Sequence, residues 1–355
     1  MSGSMGALDG VRVVELASAH AALAGKLLGD LGADVTVVEP PGGHSSRAFG
    51  PFLDDQPGPE HSLWWWYYNT SKRGVTLDLT SDEGRQSFRD LVAGADIVIE
   101  GEPDGHLGGL GLDHEDLREL APGLIWVSVT PYGRGRNDPA RPMTDLTLHA
   151  GAGLAWMSGY DDHSLPPVRG GGNQGFHIAA VNAALGALTA LLHRDETGVG
   201  QHVDVSMHAA VNVTTESGTM FWLVSGDTCT RQTGRHAAPF STQPVQILAG
   251  DGRYVTTGFP PNTQAHYEGV LRWLDELGLR DEFPEAFFLE MAVARGGVDA
   301  RDMADPEVGA IFTAGREALA FIASKIPAFD FFIGSLQLGL QCGAILSPEE
   351  VLEDP

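Results

Sequence analysis

The residues that could carry chemistry gather around one stretch, SLPPVRGGGNQGFHIAAVNAALGALTALLHRDETGVGQHVDV at 164–204. A Pro- and Gly-rich loop at 166–175 runs into a small-residue apolar run at 176–192. That run is long enough for about four to five helical turns. It is apolar on all sides, which predicts a helix buried against other backbone. A helix starting directly after such a loop presents free N–H groups and the positive end of its dipole. An anionic ligand or a reactive carboxylate suits that position. The residues there are Gly175, Phe176 and His177, and none is a carboxylate. Asp161 and Asp162, the nearest acids, stand on the far side of the loop. Further groups with chemical potential are His20, Asp145, His149, the basic pair Lys72-Arg73, and Glu39 and Glu100.

The elements that must position these groups alternate. VRVVEL at 11–16, DVTVVE at 34–39, VTLDL at 75–79, ADIVIE at 95–100 and LIWVSVTPYG at 124–133 read as strands. HAALAGKLLGDLG at 20–32 has helical spacing with Gly32 as a stop. Ser81 caps a helix running to about Ala93. The pattern predicts an α/β fold with a parallel sheet and right-handed crossovers, ligands docking at the carboxyl ends of the strands. Those ends are Glu39, Leu77–Thr80 (Leu77, Asp78, Leu79 and Thr80), Glu100–Glu102 (Glu100, Gly101 and Glu102) and Thr130–Gly133. The first turn reads ASAHAAL and lacks GxGxxG, which argues against a dinucleotide pyrophosphate site. The aromatic run at 64–68 reads as packing in preference to a base-stacking platform. Beyond it, MHAAVNVTTESGTMFWLVSG reads as helical and VQILAGDGRYVTTGF as a hairpin turning at Asp251-Gly252. Helical stretches follow at 264–277 and 281–294. The expected division is a large Rossmann-like domain at 1–225, a smaller α+β domain at 226–330, and a segment at 331–355 that returns to the large domain.

Composition narrows the functional classes. A net charge of −25 over 355 residues argues against nucleic acid or an anionic membrane as partner. Any phosphate-bearing ligand must rely on a few local cations and backbone amides. Cys229 and Cys342 make neither a disulfide framework nor a metal site. MSGSMGALDG has no basic region and no apolar core, so no signal peptide is read and a cytoplasmic location is expected. Residues 1–4 read as an appended leader, with Met5 the natural start.

The chain resembles CoA-transferase family III (the CaiB/BaiF family), which includes formyl-CoA transferase and α-methylacyl-CoA racemase. The resemblance runs over essentially the whole chain. Its carriers are LDGVRVVEL with GDLGADVTVVEPPGG, NTSKRGVTLDL, LGGLGL, PYGRGRND followed by TDLTLHAGAGLAWMSG, HRDETGVGQHVDVSMHAA, and CGAILSPEEVLEDP. The resemblance implies a Rossmann-like large domain, a small domain and an interlocked dimer. It implies acyl-CoA as substrate, with no covalently bound cofactor and no metal. Adenine would lie near Leu77, Leu79 and Thr80, and pantetheine would run toward the helix start at 176. Lys72 and Arg73 match the family's NxxKR; they either help place phosphates or form a solvated pair beside a strand. Gly101 stands where the family has Asn. In the transferases an Asp at the helix start attacks the acyl-CoA carbonyl, giving a mixed anhydride and then an enzyme-bound CoA thioester.

This sequence departs from that pattern where chemistry is concentrated. The transferase register puts the catalytic Asp at Phe176, and the racemase register puts it at Gly175. The racemase His falls on Thr144. His44 replaces the Asp after the Gly-Gly pair, Gly109 falls where a phosphate-holding Arg is common, and Ala21-Ala22 replaces Gly-Pro. His177 reads as a substitute base or acyl acceptor, or as a helix-start histidine bonded to the loop; the second is favoured because no partner acid is in sequence reach. Asp145 matches a family position with a structural role near the site, and His149 reads as packing. His20 stands at the first strand end, open to a ligand. Glu39 and Glu100 read as strand-end caps. The expected function is a non-catalytic subunit of a heteromeric acyl-CoA:carboxylate CoA-transferase whose partner carries the nucleophilic Asp. The alternatives are a stand-alone CoA-thioester-binding protein, a repurposed enzyme using His177, or a purely structural interlocked-dimer partner.

Overall fold

The computed structural model describes residues 6–136, 143–242, 244–299, 302 and 305–353. Residues 1–4, expected to be an appended leader, Met5, and Asn137-Asp138 of the PYGRGRND motif lie outside them. The chain forms two compact units, Met1–Arg231 and Gln232–Pro355.

The first unit is built on a six-stranded sheet: β1 (Arg12–Leu16), β2 (Asp34–Glu39), β3 (Lys72–Thr76), β4 (Ile97–Glu100), β5 (Ile125–Thr130) and β6 (His202–Ser206). Their order is β3-β2-β1-β4-β5-β6, and every neighbouring pair is parallel. All four residues of β4 and all six of β5 are buried, as unbroken apolar runs in a doubly covered parallel sheet should be. The order reverses between β1 and β4, where open α/β sheets form their ligand crevice.

The third strand differs from the expected 75–79. Pairing from Val35↔Lys72 to Glu39↔Thr76 draws Lys72 and Arg73 into the strand. Asp78 then turns the chain out of the sheet, its carboxylate accepting from the Thr80 N–H at 3.0 Å and hydroxyl at 2.6 Å. Ser81 caps α3 (Asp82–Ala93) by accepting from the Gly84 N–H at 3.0 Å.

Before α3 come α1 (Ala22–Asp30) and the aromatic α2 (Leu63–Tyr68); after it come the one-turn α4 (His106–Gly109) and α5 (His114–Leu117), then α6 (Asp145–Gly151). The 24-residue α7 (Gln174–Thr197) lies against α1, β5 and β6. Ala179, Ala180, Ala183, Ala184, Ala187 and Ala190 make its buried stripe. A Cβ at Gly186 would stand 2.7 Å from Val203 Cγ1, so backbone approaches β6 closely there. The helix is not buried on all sides, as its composition predicted: Val181, Leu185 and Leu192 are 50%, 61% and 70% exposed. The alanines and Leu191 are buried, while Val181, Leu185 and Leu192 face outward. By length and composition alone this helix is long and apolar enough to cross a membrane, a test that the core helix of a folded domain also passes. The helices α8 (Met207–Val213) and α9 (Glu216–Ser225) follow β6.

The second unit holds a three-stranded antiparallel sheet. Gln246–Leu248 and Tyr254–Thr256 form the expected hairpin, turning at Asp251-Gly252 with Gly252 at φ 85°. Gly343–Ile345 pairs with Tyr254–Thr256. This corrects the expectation that 331–355 returns to the large domain: its strand completes the second unit's own sheet. Tyr267, Leu274, Leu289, Ile311, Ile322 and Phe331 fill that unit's core.

Candidate functional site

The site is built at the start of α7. Asn173, in a left-handed conformation at φ 55°, precedes the helix and offers no side-chain cap. Asp145 does the capping instead. It opens α6, whose own start is fixed by a reciprocal Thr144–Thr147 capping box. Its Oδ1 accepts from the Gly175 N–H at 2.8 Å and its Oδ2 from Arg169 Nη1 at 2.8 Å. The Phe176 and His177 N–H groups turn back onto the Asn173 carbonyl at 3.0 and 3.1 Å. The helix start therefore does not present the open donors expected from sequence; a buried carboxylate of the same chain sits there. Thr144, at the racemase His position, is the N-cap of α6.

Gly175 and Phe176, the two positions expected for the nucleophile, are both packed against other side chains. A Cβ at Gly175 would stand 2.7 Å from Leu148 Cδ2 and 3.0 Å from Asp145 Oδ1. Phe176 packs on the main core, its ring edge-on to His20 at 6.0 Å. His177 Nε2 is hydrogen-bonded to the Tyr68 hydroxyl. Burial lowers the His177 pKa and raises that of Tyr68, so both partners are neutral at pH 7. His149 is buried, with Nε2 3.6 Å from Asp145 Oδ1 and no hydrogen-bond partner.

His20 comes from the turn after β1 and donates through Nε2 to the Val129 carbonyl at 3.0 Å. Burial lowers its pKa. A Cβ at Gly101 would fall 2.5 Å from that Nε2 and 2.5 Å from Ser18 Oγ. The loss of a side chain at 101 and the histidine at 20 are thus one packing solution.

Of the two basic candidates, Lys72 fits neither expected role and Arg73 fits the solvated one. Lys72 is fully buried, and its ammonium donates to Glu15 Oε1 at 2.8 Å, the Ala22 carbonyl at 2.8 Å and Asn69 Oδ1 at 3.1 Å. Its three protons are used, leaving none for a phosphate. Arg73 is exposed and pairs with Asp34, the first residue of β2. In a parallel sheet that is the amino edge, opposite the crevice. Leu77, Leu79 and Thr80 do line a cavity at the carboxyl ends of β1–β4, together with His44 and Glu102. Gly101 lines a second cavity with His20, Thr130 and Arg136.

The strand-end acids are clamps more than caps. Glu39 is gripped by Arg47 at 2.7 and 2.8 Å, and that guanidinium lies 4.2 Å over the Trp65 ring. Glu100 accepts from the Glu102 N–H at 2.7 Å and Arg134 Nη1 at 3.1 Å; Arg134 also binds Ser128 Oγ at 3.2 Å and the Asp113 carboxylate. Asp162 is spent on Ser164. Sequence reading missed Arg47, Tyr68, Arg134 and Arg169. Arg169 had one signal, a lone cation in the loop preceding the helix.

A family model of CoA-transferase family III matches residues 8–286. Succinyl-CoA:(R)-benzylsuccinate CoA-transferase subunit BbsE of Thauera aromatica is 36% identical over 273 residues, 77% of this chain and 65% of its own length. Succinyl-CoA:mesaconate CoA-transferase of Haloarcula hispanica is 33% identical over 290 residues, 79% of this chain and 71% of its own length. This chain thus spans only about two thirds of the length of these relatives. The crystal structure of a CAIB/BAIF family protein from Brucella suis superposes with a TM-score of 0.74 at 27% identity, covering 99% of this chain and 87% of that one. The sequence match and the shared sheet architecture agree: the chain belongs to CoA-transferase family III.

Proposed function

We propose that the chain is the subunit without a nucleophile in a heteromeric acyl-CoA:carboxylate CoA-transferase, and that its partner supplies the attacking Asp. The observation that carries this reading is Phe176. A phenyl ring has no lone pair to offer an acyl carbonyl, and it occupies the helix start where the family's transferases attack. Asp145, the carboxylate that does meet this helix, is held by the Gly175 N–H and Arg169 and is buried. The name of the Thauera aromatica relative, a subunit of a CoA-transferase, supports the same reading. So does the outward apolar surface: Leu185 on α7, and Met220, Trp222, Leu223 and Val224 on α9, are all more than half exposed. Exposed apolar residues in such number suit a protein partner.

The reading predicts no transfer by this chain alone from an acyl-CoA donor, and transfer when it is co-purified with an Asp-bearing paralogue. Turnover by the purified single chain sinks it. The repurposed-enzyme alternative rests on His177, whose Nε2 is taken by Tyr68; a single chain that turns over and loses activity on His177→Ala would favour that alternative.

A further inference from the structure

In the second unit the helix Pro306–Lys325 carries Arg316, a cation with no charge to balance it. The guanidinium is partly buried, yet among the described residues it has no hydrogen bond and no ion pair. Burial lowers its pKa, and no carboxylate offsets that cost. A guanidinium does not shed its proton in a protein, so the charge stays. Scarcity of acids is not the reason: the chain has 47 Asp and Glu against 22 Lys and Arg. Asp354 is the one acid of Gln232–Pro355 outside the described residues. Arg47, Arg134 and Arg194 show the usual arrangement, each gripping a carboxylate where it is shielded from water.

One turn before Arg316, Phe312 projects from the same side of the helix. It lines a cavity of about 390 Å3. A turn is about 5.4 Å, within the reach of an arginine side chain. Phe259, in the loop after Tyr254–Thr256, makes a second aromatic wall and is 76% exposed. That loop is braced: a Cβ at Gly258 would stand 1.7 Å from the Gln341 carbonyl oxygen, so the backbone of the two lining segments is in contact. His266 and Gln341 add polar edges to the cavity. His266 Nδ1 is 3.0 Å from Asn262 Oδ1, which leaves Nε2 as the ring's uncommitted nitrogen. A Cβ at Gly339 would stand 3.8 Å from that Nε2; Gly339, at φ 74°, keeps this side of the cavity open.

An apolar cavity with a few polar edges and one unmatched charge beside it has the chemistry of a small-molecule site. The geometry points to a binding site in the second unit for a small aromatic carboxylate, its ring between Phe259 and Phe312 and its carboxylate on Arg316. The fork of a guanidinium meets a carboxylate through two parallel N–H bonds. A bare inorganic anion would leave the phenylalanine walls in water, and a neutral aromatic would leave the charge unmatched. The site draws on the second unit alone, so the inference is independent of the two-chain reading above.

Calorimetric titration of the full chain with 3-phenylpropanoate, 3-phenylpropanamide and inorganic phosphate tests it. The acid should bind at least about tenfold more tightly than the amide, and phosphate should bind more weakly than the acid. Arg316→Gln breaks no bond of the described fold; it should weaken the acid about tenfold and bring it level with the amide. Phe259→Ala, at an exposed position, should weaken the acid several-fold. Any one of four results overturns the inference: no binding of the acid, equal binding of acid and amide, phosphate binding as tightly as the acid, or an affinity for the acid that either variant leaves unchanged.

Discussion

The Gly175 N–H donates to Asp145 Oδ1 at 2.8 Å, which ties the start of α7 to the start of α6. The two helices thereby share one carboxylate: it opens the first and caps the second. A side-chain cap contributes about 1 kcal/mol, and an ionised one at a partly buried helix start contributes toward the upper end of the range.

Asp145→Ala should therefore cost about 1–2 kcal/mol of stability in urea unfolding, because Gly175 loses its acceptor and Arg169 its partner. Asp145→Asn keeps an acceptor and should cost less. Equal losses for the two variants would show that the bond to Gly175 contributes nothing.

Gly175→Ala should be destabilising by about 1–3 kcal/mol, since the added methyl meets Leu148 Cδ2 at 2.7 Å in a fully packed environment. Gly175→Asp should be worse, adding a second carboxylate beside Asp145. Thermal unfolding that is unchanged in Gly175→Ala would mean the Leu148 side chain moves aside freely.

Much of this frame is legible in the sequence. DVTVVE at 34–39 gives a strand residue for residue, and Ser81 marks the start of α3. The reason is that both signals are local: a strand buried on both faces needs an apolar run, and a cap needs a hydroxyl at one place. The pair Lys72-Arg73 was not legible, because its fate depends on register. Pairing with Val35 and Thr36 sets one side chain inside against Glu15 and leaves the other at the amino edge. Asp145 as the cap of α7 was also out of reach, since the two residues are 30 apart and the intervening loop decides their meeting. The outward apolar face of α7 escaped notice for a different reason: a helix apolar all round looks the same in sequence whether one face or both are covered.

Lys72→Met should cost about 3–5 kcal/mol, because it strands Glu15 in the core. Burial already raises the Glu15 pKa, and Lys72 opposes that rise. Without the ammonium the folded-state value climbs further above the unfolded one. The folded variant then binds more protons than the unfolded chain, so its deficit should shrink as the pH falls through the folded-state value. Lys72→Met combined with Glu15→Gln should recover most of the loss. Denaturant midpoints of the single and double variants across pH decide the matter, and a single variant as stable as the parent would remove the ion pair from the account of this fold.

His20 supplies the last test. Burial lowers its folded-state pKa below the ordinary 6.5, while the unfolded chain keeps the ordinary value. The stability tied to the neutral imidazole is therefore fully present above about pH 6.5 and is lost as the pH falls toward the folded-state value, because the unfolded chain takes up the proton first. His44, His114, His177 and His202 shift in the same direction, so the parent should lose stability steeply in mild acid. His20→Gln keeps a donor for the Val129 carbonyl and carries no titrating group. Its stability relative to the parent should improve as the pH drops below about 6.5, by up to about 1.4 kcal/mol per pH unit. The other histidines and the raised carboxyls of Glu100 and Glu102 are common to both proteins, so the difference between the two curves isolates His20. Parallel curves would show that His20 titrates alike in the folded and unfolded chains, and would separate its packing against Gly101 from any burial of its proton-binding site.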